Sequence, residues 1–110
     1  MEITFANSRI RKICTDDKTM RKELGQVGAS ILTNRLRQIT LATNLEALRF
    51  DTGRWHELTG DRWEQLACNL NGPNRLVFEP GNNPRPLKPD GGLDWTRVTA
   101  VELVDIIDYH

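Results

Sequence analysis

The sequence predicts an α+β domain in which an N-terminal strand and two helices pack on an antiparallel-rich sheet of about four to five strands. Three observations predict it. Apolar residues recur with a helical period up to about Asn44 and with strict alternation after Trp55. The pair Asn71-Gly72 separates two alternating runs, a strong hairpin signal. With 110 residues, the chain has enough surface to bury one modest core but not two, so residues 1–110 form a single domain.

Each element has its own reason. "MEITFA" sets Ile3 and Phe5 against polar neighbours, as a short strand does, and Asn7-Ser8 then offers a helix cap. "IRKIC" and "DDKTMRKELG" form a helical stretch recapped at Asp16 and Asp17, whose acids suit the positive end of a helix, and closed at Gly25. From about Gly28 to Asn44, Ala29, Leu32, Leu36 and Ile39 recur every three or four residues, giving a helix with one apolar face. That face is expected to cover Leu76, Phe78, Val101 and Leu103 of a sheet. "RWHELTG", "RWEQLACNL" and "NRLVFEP" read as three strands, the first two joined at Gly60-Asp61 and the last two at "NGP". The stretch from Gly81 to Thr96 holds Pro84, Pro86, Pro89 and Gly91-Gly92, and is expected to be a mobile surface loop without a catalytic part. "RVTAVELVDIIDY" follows as a long strand.

Composition narrows the classes. At 38% hydrophobic and 27% charged, the chain falls outside disordered, collagenous and coiled-coil types. No run approaches a membrane span and "MEITFANSRIRK" lacks the apolar segment of a signal peptide, so a cytoplasmic location is expected. Cys14 and Cys68 lack metal-ligand spacing and are expected to be reduced core residues rather than a disulfide. Net charge is zero, yet residues 1–49 carry nine Lys/Arg against five acids and the rest of the chain is correspondingly acidic. The basic half fits either a nucleic-acid contact or an ordinary solvated helix surface.

The run "VDIIDYH" places Asp108, Tyr109 and His110 at the end of a strand pattern. It reads either as an edge strand with a polar end facing water or as reactive groups mounted on a strand end. On a regular strand Asp108 and His110 share a face and Tyr109 lies opposite.

The block "WHELTGDRWEQLACNLNGPNRLVFEP", taken with "VELVDIIDYH", resembles the HigB branch of the RelE/ParE superfamily of bacterial toxins. His56 opens the block, Gly60-Asp61-Arg62 match the motif, Asn71-Gly72 fall at the family's interval, and Arg75 lands on the motif arginine. The family's lysine before Gly-Asp-Arg is Thr59 here, its turn asparagine is Pro73, and the aromatic before the arginine is Asn74. The resemblance implies a RelE-like fold and the toxin of a plasmid-maintenance type of toxin-antitoxin system. It also implies an activity: ribosome-dependent cleavage of messenger RNA, checked by a HigA-like helix-turn-helix antitoxin, with no cofactor and no metal.

Cleavage by the neighbouring 2′-hydroxyl needs a base, a cation for the phosphorane charge and an acid for the leaving oxygen. The resemblance assigns these catalytic parts to His56, Arg75, Asp108, Tyr109 and His110. Arg62, Lys12, Lys22 and Arg49 are the candidates to bind RNA phosphate and to supply the charge missing at Thr59. Two other readings stand beside this one: a ParE-like gyrase inhibitor, for which the terminal triplet has no evident use, and a non-catalytic toxin-fold protein that binds a partner.

Overall fold

The computed structural model describes residues 1–108; Tyr109 and His110 lie outside the described residues. The chain begins with strand β1 (Glu2–Phe5) and turns at Asn7, whose side chain accepts the Ile10 N–H at 3.0 Å and caps helix α1 (Ser8–Thr15). Asp16 has extended backbone, so it ends α1, and its carboxylate accepts the Thr19 N–H at 3.1 Å to start helix α2 (Asp17–Leu41). The α-helical path of α2 breaks once, at Gly25, where φ is 72° and ψ 176°. Only glycine enters that region without strain, so the predicted stop at Gly25 is a kink between two helical stretches. Three residues on, a Cβ on Gly28 would stand 2.8 Å from Asn71 Oδ1, so glycine there lets the helix close on the Asn71-Gly72 turn.

Beyond α2, a short 3₁₀ turn at Leu45–Leu48 leads to β2 (His56–Glu57), β3 (Leu66–Asn69), β4 (Asn74–Pro80) and β5 (Ala100–Asp108). The strand order is β1-β5-β4-β3-β2, with β1 parallel to β5 and every other neighbour antiparallel. This is the predicted class, an N-terminal strand and two helices on an antiparallel-rich five-stranded sheet. The core lies between the helices and one face of the sheet. Ile10, Ile13, Leu32 and Ile39 from the helices meet Leu66, Cys68, Leu76, Phe78, Val101 and Leu103 from the strands. Leu36, expected to be central, is only half-buried at its rim. Cys14 and Cys68 are both free and buried, as read, and burial pushes each thiol up to about 12.

Three expectations need correction. The first strand after the helices shrinks to two residues, and β3 starts at Leu66 rather than Arg62. Between them the chain winds into a 3₁₀ turn at Gly60–Arg62, closed by Trp63 N–H to Gly60 O at 3.2 Å and Gln65 N–H to Arg62 O at 2.8 Å.

The stretch from Gly81 to Thr96 is irregular and mostly exposed, as expected of a surface loop, but its far end is anchored in the core. Leu93 and Trp95 are 5% and 4% exposed and belong to the core, and Leu87 bridges Leu93 across a small turn. Proline and glycine content gives no sign of this anchor, which comes from the burial of an indole.

The third correction is a register shift in the β4–β5 ladder, where Phe78 faces Leu103 but Val77 faces Asp105. Val104 is thereby the extra residue of a bulge, and the alternation of β5 reverses beyond it.

Candidate functional site

The helices cover one face of the sheet, and the other carries no helix among the described residues. Side chains of paired residues share a face, so the register assigns each position. Leu66, Cys68, Leu76 and Phe78 point to the helices; Ala67, Asn69, Arg75, Val77 and Glu79 therefore point away. His56 pairs with Ala67 and joins them. His56 and Arg75, two of the five catalytic candidates, thus stand on the same helix-free face. They are two strands apart and two residues apart along the strands, about 12 Å between Cα atoms at ordinary sheet spacings. Side chains of their lengths can meet on one phosphate across that gap.

The local structure orients His56. Its Nδ1 lies 2.6 Å from the carbonyl oxygen of Arg54, and a carbonyl only accepts, so Nδ1 carries the proton. In the neutral ring Nε2 is then the basic nitrogen. Arg54 achieves this with φ of 52°, a left-handed conformation uncommon outside glycine. Such strain beside a reactive side chain is a frequent mark of a working site. The short β2 is fixed from behind by Trp55, 4% exposed and edge-on to Phe78 at 5.8 Å, and by Glu57, which accepts the Trp95 indole N–H at 3.1 Å.

Arg75 is the second residue of β4, just after the hairpin turn, and folds back on it, donating from Nη1 to the carbonyls of Gly72 and Asn74 at 3.0 and 2.9 Å. Gly72 takes φ of 56° there, the turn conformation its pairing with Asn71 predicts.

The remaining candidates are scattered. Because of the bulge, Ile107 faces Arg75, and Asp108 pairs with Asn74 on the opposite side of the sheet. The expectation that Asp108 joins His56 and Arg75 on one face is therefore corrected. Tyr109 and His110 fall outside the described residues. Arg62 sits in the Gly60–Arg62 turn and donates to Gln65 Oε1 at 2.8 Å. Arg49 is engaged elsewhere: Glu46 receives its Nε at 2.9 Å and its guanidinium lies 4.0 Å over the Trp95 ring. Lys12 and Lys22 ride on the helical layer, exposed, the first near the Asp16 carboxylate whose pKa it helps to lower. Thr59 is exposed beside the turn, and Arg62 is the cation nearest to it in the chain.

The acid in the row of His56 on the helix-free face is Asp105, which the motif does not mark. It lies in the same cross-sheet row as His56, Ala67 and Val77, and Arg9 reaches it from the start of α1 at 2.8 Å. A signal existed: Val101, Leu103 and Ile106 break the two-residue period with one three-residue step. Compared with known proteins, the chain matches no family model and no curated sequence.

Proposed function

We propose that the chain is a HigB-like toxin that cuts messenger RNA on the ribosome by attack of the 2′-hydroxyl on the adjacent phosphorus. The observation that carries this reading is the placement of His56 and Arg75 on one helix-free sheet face, with the His56 tautomer set by Arg54. In the proposed step His56 Nε2 takes the 2′-hydroxyl proton. The O2′–P bond forms, the P–O5′ bond breaks, and a 2′,3′-cyclic phosphate and a 5′-hydroxyl result. Arg75 leaves the turn carbonyls to grip the phosphorane, because a guanidinium binds phosphate at two points and more strongly than it binds a carbonyl. His110 is the proposed donor to the leaving oxygen. A helix-turn-helix antitoxin and the ribosome are the proposed partners. Arg62 is the phosphate contact best placed among the four basic candidates, since it alone adjoins the face.

The test is induced expression in bacteria with mapping of cleaved messenger-RNA ends. Arg75→Ala is expected to slow cleavage by roughly 10²- to 10³-fold and His56→Ala by about 10²- to 10⁴-fold, each with unchanged circular dichroism. Full growth arrest from both folded variants would sink the nuclease reading. The acids on the same face (Glu79, Glu102 and Asp105) and the zero net charge favour one alternative, a non-catalytic module that binds a basic partner.

A further inference from the structure

Trp63 is 65% exposed, whereas the other two tryptophans, Trp55 and Trp95, are each 4% exposed. Leaving so large a ring in water forgoes one of the largest apolar gains open to a side chain. Trp63 follows the Gly60–Arg62 turn and walls a hollow of about 490 Å³ completed by Asp61, Arg62, Glu64, Gln65 and Glu79. That volume falls in the usual range of small-ligand sites.

Three carboxylates line the hollow, Asp61, Glu64 and Glu79, and Glu79 ends a chain of hydrogen bonds. Arg62 donates to Gln65 Oε1 at 2.8 Å, and Gln65 Nε2 donates to Glu79 Oε2 at 3.2 Å. Both ends of the Gln65 amide are used, and it is held in place. Glu79 keeps its second oxygen. Across the sheet it faces Glu102, a like charge, and no ion pair reaches either among the described residues. Two facing carboxylates repel, so a hydrogen-bond donor brought to Glu79 relieves the pair.

We propose that this hollow is a nucleobase subsite, with Trp63 as the stacking platform and Glu79 as the acceptor for an exocyclic amino group. It deepens the RNA reading above and rests on it. Single-stranded RNA is read by stacking unpaired bases on aromatic side chains and hydrogen-bonding their edges. Carboxylates accept from amino groups of the cytosine N4 kind. Uracil has no amino group and is the base this hollow rejects. Glu79 lies four residues from Arg75 on the same face of β4, about 13 Å along the strand, so a strand gripped at Arg75 reaches it within a few nucleotides. A protein-docking surface of ordinary kind is a contiguous apolar patch; here one ring is set among charged and amide groups.

The experiment uses labelled, uncleavable 2′-O-methyl hexamers of A, C and U with the folded full chain, read by fluorescence anisotropy. Wild type is expected to bind the A and C hexamers about tenfold more tightly than the U hexamer. Trp63→Ala should lower affinity for A and C by about tenfold, Trp63→Phe should keep most of it, and Glu79→Gln should narrow the gap between C and U while binding persists. Equal binding of all three hexamers by wild type, no binding of any, or a Trp63→Ala variant that binds as wild type would each overturn the subsite. Unchanged RNA affinity with loss of self-association in Trp63→Ala, seen by sedimentation, would overturn it in favour of a contact between copies. Hexamer discrimination by a protein that leaves messenger RNA intact in cells would keep the subsite and remove the nuclease assignment.

Discussion

Trp95 decides whether the stretch from Gly81 to Thr96 is decoration or framework. The perturbation is Trp95→Ala. The ring is 4% exposed within the core, so its removal costs about 3 to 5 kcal/mol, cavity included. Two polar contacts go with it: the guanidinium of Arg49, 4.0 Å from the ring centroid, contributes about 0.5 to 1 kcal/mol at its half-exposed position. The indole hydrogen bond to Glu57 adds little more than about 1 kcal/mol, because that carboxylate returns to water when released. The sum is about 4.5 to 7 kcal/mol, against a total stability of roughly 5 to 15 kcal/mol for such a domain. Trp95→Phe keeps most of the buried area and loses the N–H, so about 1 to 2 kcal/mol is expected. Urea unfolding followed by circular dichroism measures both. Since Glu57 neighbours His56 in a strand of two residues, the proposed RNA cleavage should also fall at a temperature where Trp95→Ala is still folded. A Trp95→Ala midpoint equivalent to less than about 0.5 kcal/mol from wild type would refute the reasoning and return the segment to the surface.

Leu32→Ala is expected to cost about 2 to 5 kcal/mol and Leu36→Ala clearly less, because Leu32 is fully buried and Leu36 sits at the rim; urea midpoints rank the two. Asp16 is held below its usual carboxylate range by the Thr19 hydroxyl and backbone N–H, with Lys12 and Lys18 nearby. A folded value below the unfolded one gives stability that is present above the ordinary carboxylate range and lost as pH falls through the folded value. Asp16→Ala should therefore melt earlier than wild type at pH 7, and the gap should close in strong acid. Burial pushes both thiols up to about 12, so Ellman's reagent at pH 8 should find no fast thiol in the native protein and two in denaturant.

Much of this architecture was legible because it depends on local signals. Asn7 and Asp16 cap helices as their types predict, Gly25 interrupts one, and Asn71-Gly72 turns a hairpin. The period of Leu32 and Ile39 marked a buried face correctly. What failed depended on contacts distant in the chain. Nothing near Trp95 announces that Arg49 and Glu57 wait for it, since those residues arrive from elements roughly 40 positions earlier. Of the candidate site, the sequence named residues but not their arrangement. His56 and Arg75 were found from their motif, and pairing through β3 sets them on one face. The side of the sheet that Asp108 takes was not legible, because a bulge at Val104 reverses the alternation of β5.

The place of β5 in the sheet has a temporal consequence. It lies between β1 and β4, so Glu2 waits for Ala100 and Phe5 for Leu103. A nascent chain leaves the ribosome from its amino end, and β1 emerges with no strand to join. Helices and the β3–β4 hairpin can form during synthesis, but the sheet stays split until residues 100–108 clear the exit tunnel. Asp105 and Ile107, which flank Val77 and Arg75, arrive in that last instalment. A polypeptide able to cut the message under translation would thus acquire its finished cutting surface only after its own message had been read through those codons. Vectorial synthesis would itself delay the proposed activity.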